Sequence, residues 1–95
     1  MSPVPGWDAY TDKHAEEQLQ HGGDVGRRVL QEVLNDLGEH GPRILGARPY
    51  PPPYPSTLWR APIAMRDGTV YGVIEYVEEH HQRIRVTWAI WLPNR

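Results

Sequence analysis

The run Arg48-Pro49-Tyr50-Pro51-Pro52-Pro53-Tyr54-Pro55 limits what this chain can fold into more than any other feature. Proline holds φ near about −65° and has no backbone N–H, so neither a helix interior nor a central strand can pass through such a segment. It divides the chain into two halves with different periodicities. Its own backbone favours extended polyproline II, and residues 48–55 read as a stiff crossover between the halves. Pro49-x-x-Pro52 and Pro52-x-x-Pro55 also match the loose spacing bound by aromatic-grooved SH3 or WW domains. In the crossover reading, Tyr50 and Tyr54 pack on the domain itself.

The first half has helical spacing. Thr11 or Asp8 can cap a helix over residues 8–20, with Tyr10 and Ala15 placed as a hydrophobic staple. Its apolar stripe is thin: Tyr10, Ala15 and Leu19. Gly22-Gly23 interrupts the pattern, and Asp24 is a second candidate N-cap. Val25, Val29, Leu30, Val33, Leu34 and Leu37 then recur at the period of a buried helix face. Gly38 and Gly41-Pro42 end it. Residues 8–41 therefore read as a helical hairpin.

The second half alternates. Trp59, Ala61, Ile63 and Met65 oppose Leu58, Arg60, Pro62 and Ala64; Arg66-Asp67-Gly68 is a hairpin turn; residues 69–78 are rich in Val, Ile and Tyr. After a turn at His80, His81 and Gln82, the pattern places Ile84, Val86, Trp88, Ile90 and Leu92 on one face. Arg83, Arg85, Thr87, Ala89 and Trp91 fall on the other. The expectation is an α+β fold with the helical hairpin packed on a three- to four-stranded antiparallel sheet over residues 57–92.

A length of 95 residues gives one domain, and 39% hydrophobic with 23% charged residues suits a folded chain rather than a disordered one. With no Cys, disulfide scaffolds, thiolate metal sites and cysteine nucleophiles are excluded. His14, His21 and His40 are scattered and His80-His81 sits in a turn, so no metal and no cofactor are expected. The only serines are Ser2 and Ser56, and there is no Gly-x-Ser-x-Gly elbow or phosphate-binding glycine loop. No apolar run reaches the roughly 20 residues of a membrane span, and residues 1–5 lack a signal-peptide layout. A cytoplasmic protein is expected. The net charge of −2 confines any nucleic-acid contact to a local patch.

Such a patch can be read on the open sheet face, where Arg60, Arg83 and Arg85 project, with Tyr71, Glu75 and Trp91 as companions. Guanidinium groups hold a phosphodiester and stabilise charge developing on it. Glu75 or His81 can take the proton of a ribose 2′-hydroxyl, and aromatic rings can stack on bases. The same arginines equally suit a wetted strand face on which Glu75, Glu78 and Glu79 pair with them across strands.

Three segments carry a family resemblance. They are Leu58-Trp59-Arg60, then Gly68-Thr69-Val70-Tyr71-Gly72-Val73-Ile74, then Arg83-Ile84-Arg85-Val86. With the order of helices, crossover and meander, these resemble the RelE/ParE superfamily of toxins from bacterial toxin–antitoxin pairs, the HigB-like members especially, over residues 8–92. Gly72 stands where the family's strand usually has Arg, and the end Trp91-Leu92-Pro93-Asn94-Arg95 lacks the usual His or Tyr. The resemblance implies a metal-independent endoribonuclease acting on translated mRNA at the ribosome, or a ParE-type gyrase inhibitor, and a cognate antitoxin as partner. It implies Arg60 and Arg85 as catalytic groups with Glu75 or His81 handling the proton, while Arg83, Tyr71 and Trp91, read from the open face, are expected to bind substrate. A non-catalytic protein-interaction module on the same fold is the competing reading, with Trp91, Trp88 and the tyrosine–proline segment as its surface.

Overall fold

The computed structural model describes residues 6–65 and 67–92. Arg66 of the expected turn, residues 1–5 and residues 93–95 lie outside the described residues.

Along the chain run β1 (Asp8–Thr11), α1 (Lys13–Leu19), a 3-10 turn (Gln20–Gly22), α2 (Gly23–His40), β2 (Arg48–Pro49), β3 (Leu58–Ala64), β4 (Val70–Glu79) and β5 (Arg83–Trp91). The strands form one five-stranded sheet in the order β1-β5-β4-β3-β2. It is mixed: β1 pairs parallel to β5, and the other pairings are antiparallel. The fold is α+β, but two edge strands correct the expected three- to four-stranded antiparallel sheet.

The first correction falls on residues 8–11, read from the sequence as the start of a helix. They are a strand because the free edge of β5 offers them partners: Asp8 N–H donates to Gln82 O at 2.9 Å and Asp12 N–H to Val86 O at 3.0 Å. Cross-sheet pairing outweighs a weak local helix preference. The helix begins only at Lys13, capped by Asp12, whose carboxylate accepts from Ala15 N–H at 2.9 Å.

The second correction concerns the proline run. Arg48 and Pro49 pair with Arg60 and Trp59, then the chain turns through Tyr54 N–H to Pro51 O at 3.1 Å and returns with Tyr50 N–H on Leu58 O at 3.0 Å. The segment is therefore a hairpin loop at the sheet edge rather than an extended crossover. Pro49 tolerates its position because an edge strand has an N–H that needs no partner.

α2 packs Val29, Leu30, Val33 and Leu37 on the sheet, while Val25 at its start is 51% exposed. Asp24 is not its N-cap: the helix starts at Gly23, and Asp24 binds Arg27 at 2.7 Å within the first turn. Gly41 ends it with φ +83, its N–H donating to Leu37 O at 2.9 Å. From the sheet, Trp59, Ala61, Ile63, Ile74, Tyr76, Ile84, Val86 and Ala89 complete the core with Ala15 of α1. Tyr76 is fully buried, and its hydroxyl donates to Pro42 O at 2.6 Å, so the core holds no orphaned phenol.

The parity of β5 changes midway. Glu75 pairs with Trp88 but Tyr76 with Val86, which leaves Thr87 as a bulge residue. Beyond the bulge, Ala89 is buried against the helices, and Trp91 faces them too. The expected facial sets Ile84–Val86–Trp88–Ile90 and Thr87–Ala89–Trp91 are therefore wrong past residue 86.

Candidate functional site

Register partners on neighbouring strands share a face, so the sheet itself assembles the site. Arg48 pairs with Arg60, Arg60 with Glu75, and Glu75 with Trp88, forming one row across the open face. Ile74 and Tyr76, the neighbours of Glu75, point into the core at 0% exposure. The proline-rich loop adds Tyr50 to this row. Its hydroxyl donates to Glu75 Oε1, and the Arg60 guanidinium lies 5.9 Å from the centre of its ring. Burial first, and the Glu75 hydrogen bond second, push the Tyr50 phenol up to about 12, so it remains a donor at neutral pH. Tyr54 meets Tyr50 edge-on at 5.2 Å, and the stacked rings of His14 and Trp88, 5.3 Å apart, lie beyond Glu75.

A second cluster forms where β1 joins β5. Tyr10 shares a register position with Arg85, and its hydroxyl donates to Glu79 Oε1 at 2.6 Å. That bond to a carboxylate raises the Tyr10 phenol above its ordinary value. Glu79 also faces Arg85 Nε at 3.7 Å, Arg83 lies 3.6 Å from Asp8, and the Arg83 guanidinium sits 4.9 Å from the Tyr10 ring centre. Each of these arginines thus has a carboxylate within 4.0 Å, although Arg85 Nε itself is buried without a hydrogen-bond partner among the described residues. Among the described residues, Arg48 and Arg60 have no carboxylate within 4.0 Å.

The residues singled out in sequence therefore separate. Arg60 and Glu75 come together; Arg85 and Arg83 belong to the β1 cluster. Tyr71 stands at the far end of β4, its hydroxyl 3.5 Å from Met65 Sδ. His81 is exposed in the β4–β5 turn and makes no hydrogen bond to either cluster. Trp91 is corrected outright: its ring lies against Gly22 and Gly26 of the helical layer, where a Cβ on Gly26 would come within 2.9 Å, and its indole N–H donates to Gln18 O at 2.6 Å. It is a packing residue because the Thr87 bulge turned it inward. Tyr50, Glu79, Tyr10 and Arg48 were missed as site residues. Tyr10 and Arg48 lie on strands that only tertiary pairing creates; the tyrosines inside the proline run were the one local signal for Tyr50.

His81 and its neighbour Gln82 adopt φ of +63 and +58, the left-handed region that favours glycine. Gln82→Gly is expected to stabilise the fold by about 0.5–1 kcal/mol, seen as a thermal midpoint higher by a few degrees. An unchanged or lower midpoint would show that the turn is not under backbone strain.

For a metal, Asp36, Glu39 and His40 bring ligand atoms within 4.8 Å of one another near the end of α2, all exposed and distant in sequence from the sheet face. No helix among the described residues is long and apolar enough to cross a membrane. A shallow groove lined by Val25, Val70, Tyr71 and Leu92 lies between the start of α2 and the β3–β4 turn.

No protein-family model and no curated protein matches the sequence. Among solved structures the chain is similar to the YoeB/ParE toxin from Agrobacterium tumefaciens, with a TM-score of 0.64 and 11% identity, covering 90% of this chain and 99% of that one. At that identity the likeness is one of fold: the chain shares the α+β fold of that toxin.

Proposed function

We propose that this chain is the toxin of a toxin–antitoxin pair and acts in the cytoplasm as a metal-independent endoribonuclease on mRNA in translation. The observation that carries this is the adjacency of Glu75 and Arg60, register partners on the open face of a toxin-like sheet. Tyr50 occupies Glu75 Oε1, which leaves the second carboxylate oxygen for a ribose 2′-hydroxyl. In this reading Glu75 takes that proton as the 2′-oxygen attacks the adjacent phosphorus. The bond to the 5′-oxygen breaks, giving a 2′,3′-cyclic phosphate, and the leaving oxygen takes a proton from water. Arg60 stabilises the charge that builds on the phosphoryl oxygens. Arg85 and Arg83, which face Glu79 and Asp8 at 3.7 and 3.6 Å, contribute field rather than direct contact. An antitoxin partner is supported by the apolar side chains left in the open at Val25, Val70 and Leu92, 44–51% exposed.

The test is to induce the chain and its Arg60→Ala variant in a bacterial host, and to map the ends of the translated mRNA from both cultures. Growth arrest and cyclic-phosphate ends that Arg60→Ala removes, at equal soluble expression, are the expected result. Arrest without RNA cleavage would move the assignment to a gyrase-type target. Unimpaired growth would move it to a non-catalytic interaction module.

A further inference from the structure

The arginines of the open face are of two kinds. Arg83 and Arg85 each face a carboxylate at 3.6 and 3.7 Å, whereas Arg48 and Arg60 face each other across β2 and β3 with no carboxylate within 4.0 Å among the described residues. Like charges set directly opposite on neighbouring strands repel, and the sheet gains nothing from the pair by itself. An anion between them converts that repulsion into two charge-assisted contacts. Beside this pair stands an aromatic surface with little freedom to lose. Tyr50 is tied to Glu75 by its hydroxyl, Tyr54 packs edge-on against Tyr50 at 5.2 Å while 55% exposed, and Pro51, Pro52, Pro53 and Pro55 restrict the loop that carries both. Cationic groups on a backbone track with an aromatic ring alongside are the elements that hold single-stranded nucleic acid, one for phosphate and one for the face of a base.

We infer that the β2 edge and the proline-rich loop form a clamp for the nucleotide flanking the cleaved bond, with Arg48 and Arg60 sharing a phosphate and Tyr54 stacking on the neighbouring base. The clamp gives the proline run a role other than connection, and it places the strand's track along the β2 side of Glu75. It rests on the ribonuclease reading for its place in a reaction, but binding is measurable without cleavage.

The experiment uses a fluorescent single-stranded RNA of about eight nucleotides with every 2′-hydroxyl methylated, which removes the attacking group, so that anisotropy reads binding alone. The full chain should bind it with affinity falling as salt rises. Arg48→Ala should reduce the magnitude of that salt slope by about 0.7, the share of one single-strand phosphate. Tyr54→Ala should weaken binding about tenfold or more with the slope unchanged. Arg28→Ala, an exposed arginine of α2, should change neither. Arg48 and Tyr54 are both exposed, so thermal midpoints equal to the parent's confirm intact folds. The clamp is overturned if Arg48→Ala and Tyr54→Ala bind as the parent does, or if the parent does not bind at all. Binding that depends on Arg48 and Tyr54 in a chain whose induction leaves translated mRNA uncut would support the clamp and end the ribonuclease reading alone.

Discussion

Glu75→Gln is expected to lower RNA cleavage about 10²–10⁴-fold while leaving the fold and oligonucleotide binding in place. The amide that this substitution introduces still has a carbonyl oxygen to accept the Tyr50 hydroxyl bond, so the loop keeps its anchor. What disappears is the group that accepts a proton. Thermal midpoint and affinity for the methylated oligonucleotide should match the parent, which separates loss of a base from loss of structure. Tyr50→Phe is the informative companion: it retains the carboxylate and removes only the bond that orients it. Its loss should be smaller than that of Glu75→Gln. If Glu75→Gln cleaves at the parental rate, Glu75 is not the base, and attention passes to the Glu79–Tyr10 pair.

Gly72→Ala should damage the fold itself. Gly72 is buried in β4, opposite Trp91, and a Cβ there would collide with the Ile90 carbonyl oxygen, with the Ile90 carbonyl carbon and Trp91 Cα only 3.2 Å away. Those neighbours are backbone, so no rotamer change relieves the contact, and the β4–β5 pairing must shift. We expect a loss of about 2–3 kcal/mol, a drop in thermal midpoint of roughly 10–20 °C. A midpoint within about two degrees of the parent would show that the two strands separate at negligible cost. An arginine at position 72 would begin from a buried backbone position rather than from the open face, so Gly72→Arg would not add a guanidinium beside Glu75.

Much of the candidate site was legible because β3 and most of β4 alternate between apolar and polar residues. Arg60 and Glu75 each lie between residues suited only to a core: Trp59 and Ala61, Ile74 and Tyr76. Their faces follow from the period of a strand. Trp91 was not legible. From Trp88 to Leu92 every side chain is apolar, so alternation carries no information, and one bulge at Thr87 reversed the assignment. Tyr50 lay in a segment whose prolines forbid regular structure, and local rules say nothing about where such a loop rests.

By itself the sequence determined that a long helix follows Gly22-Gly23, the β3–β4–β5 meander and the α+β class; that Glu75 shares the open face with Arg60 was settled only by the β3–β4 register. The helix, the meander and the class each depend on burial periodicity or turn chemistry within a few residues. The tertiary structure alone decided that residues 8–11 are a strand, that the proline run folds back onto β3, and that Trp91 serves the core. It also decided which arginines, among the described residues, have no carboxylate within 4.0 Å. These outcomes depend on which strand edges lie open once the core has formed. The partners involved are far apart in sequence, as Tyr10 and Glu79 are, so no local pattern records them.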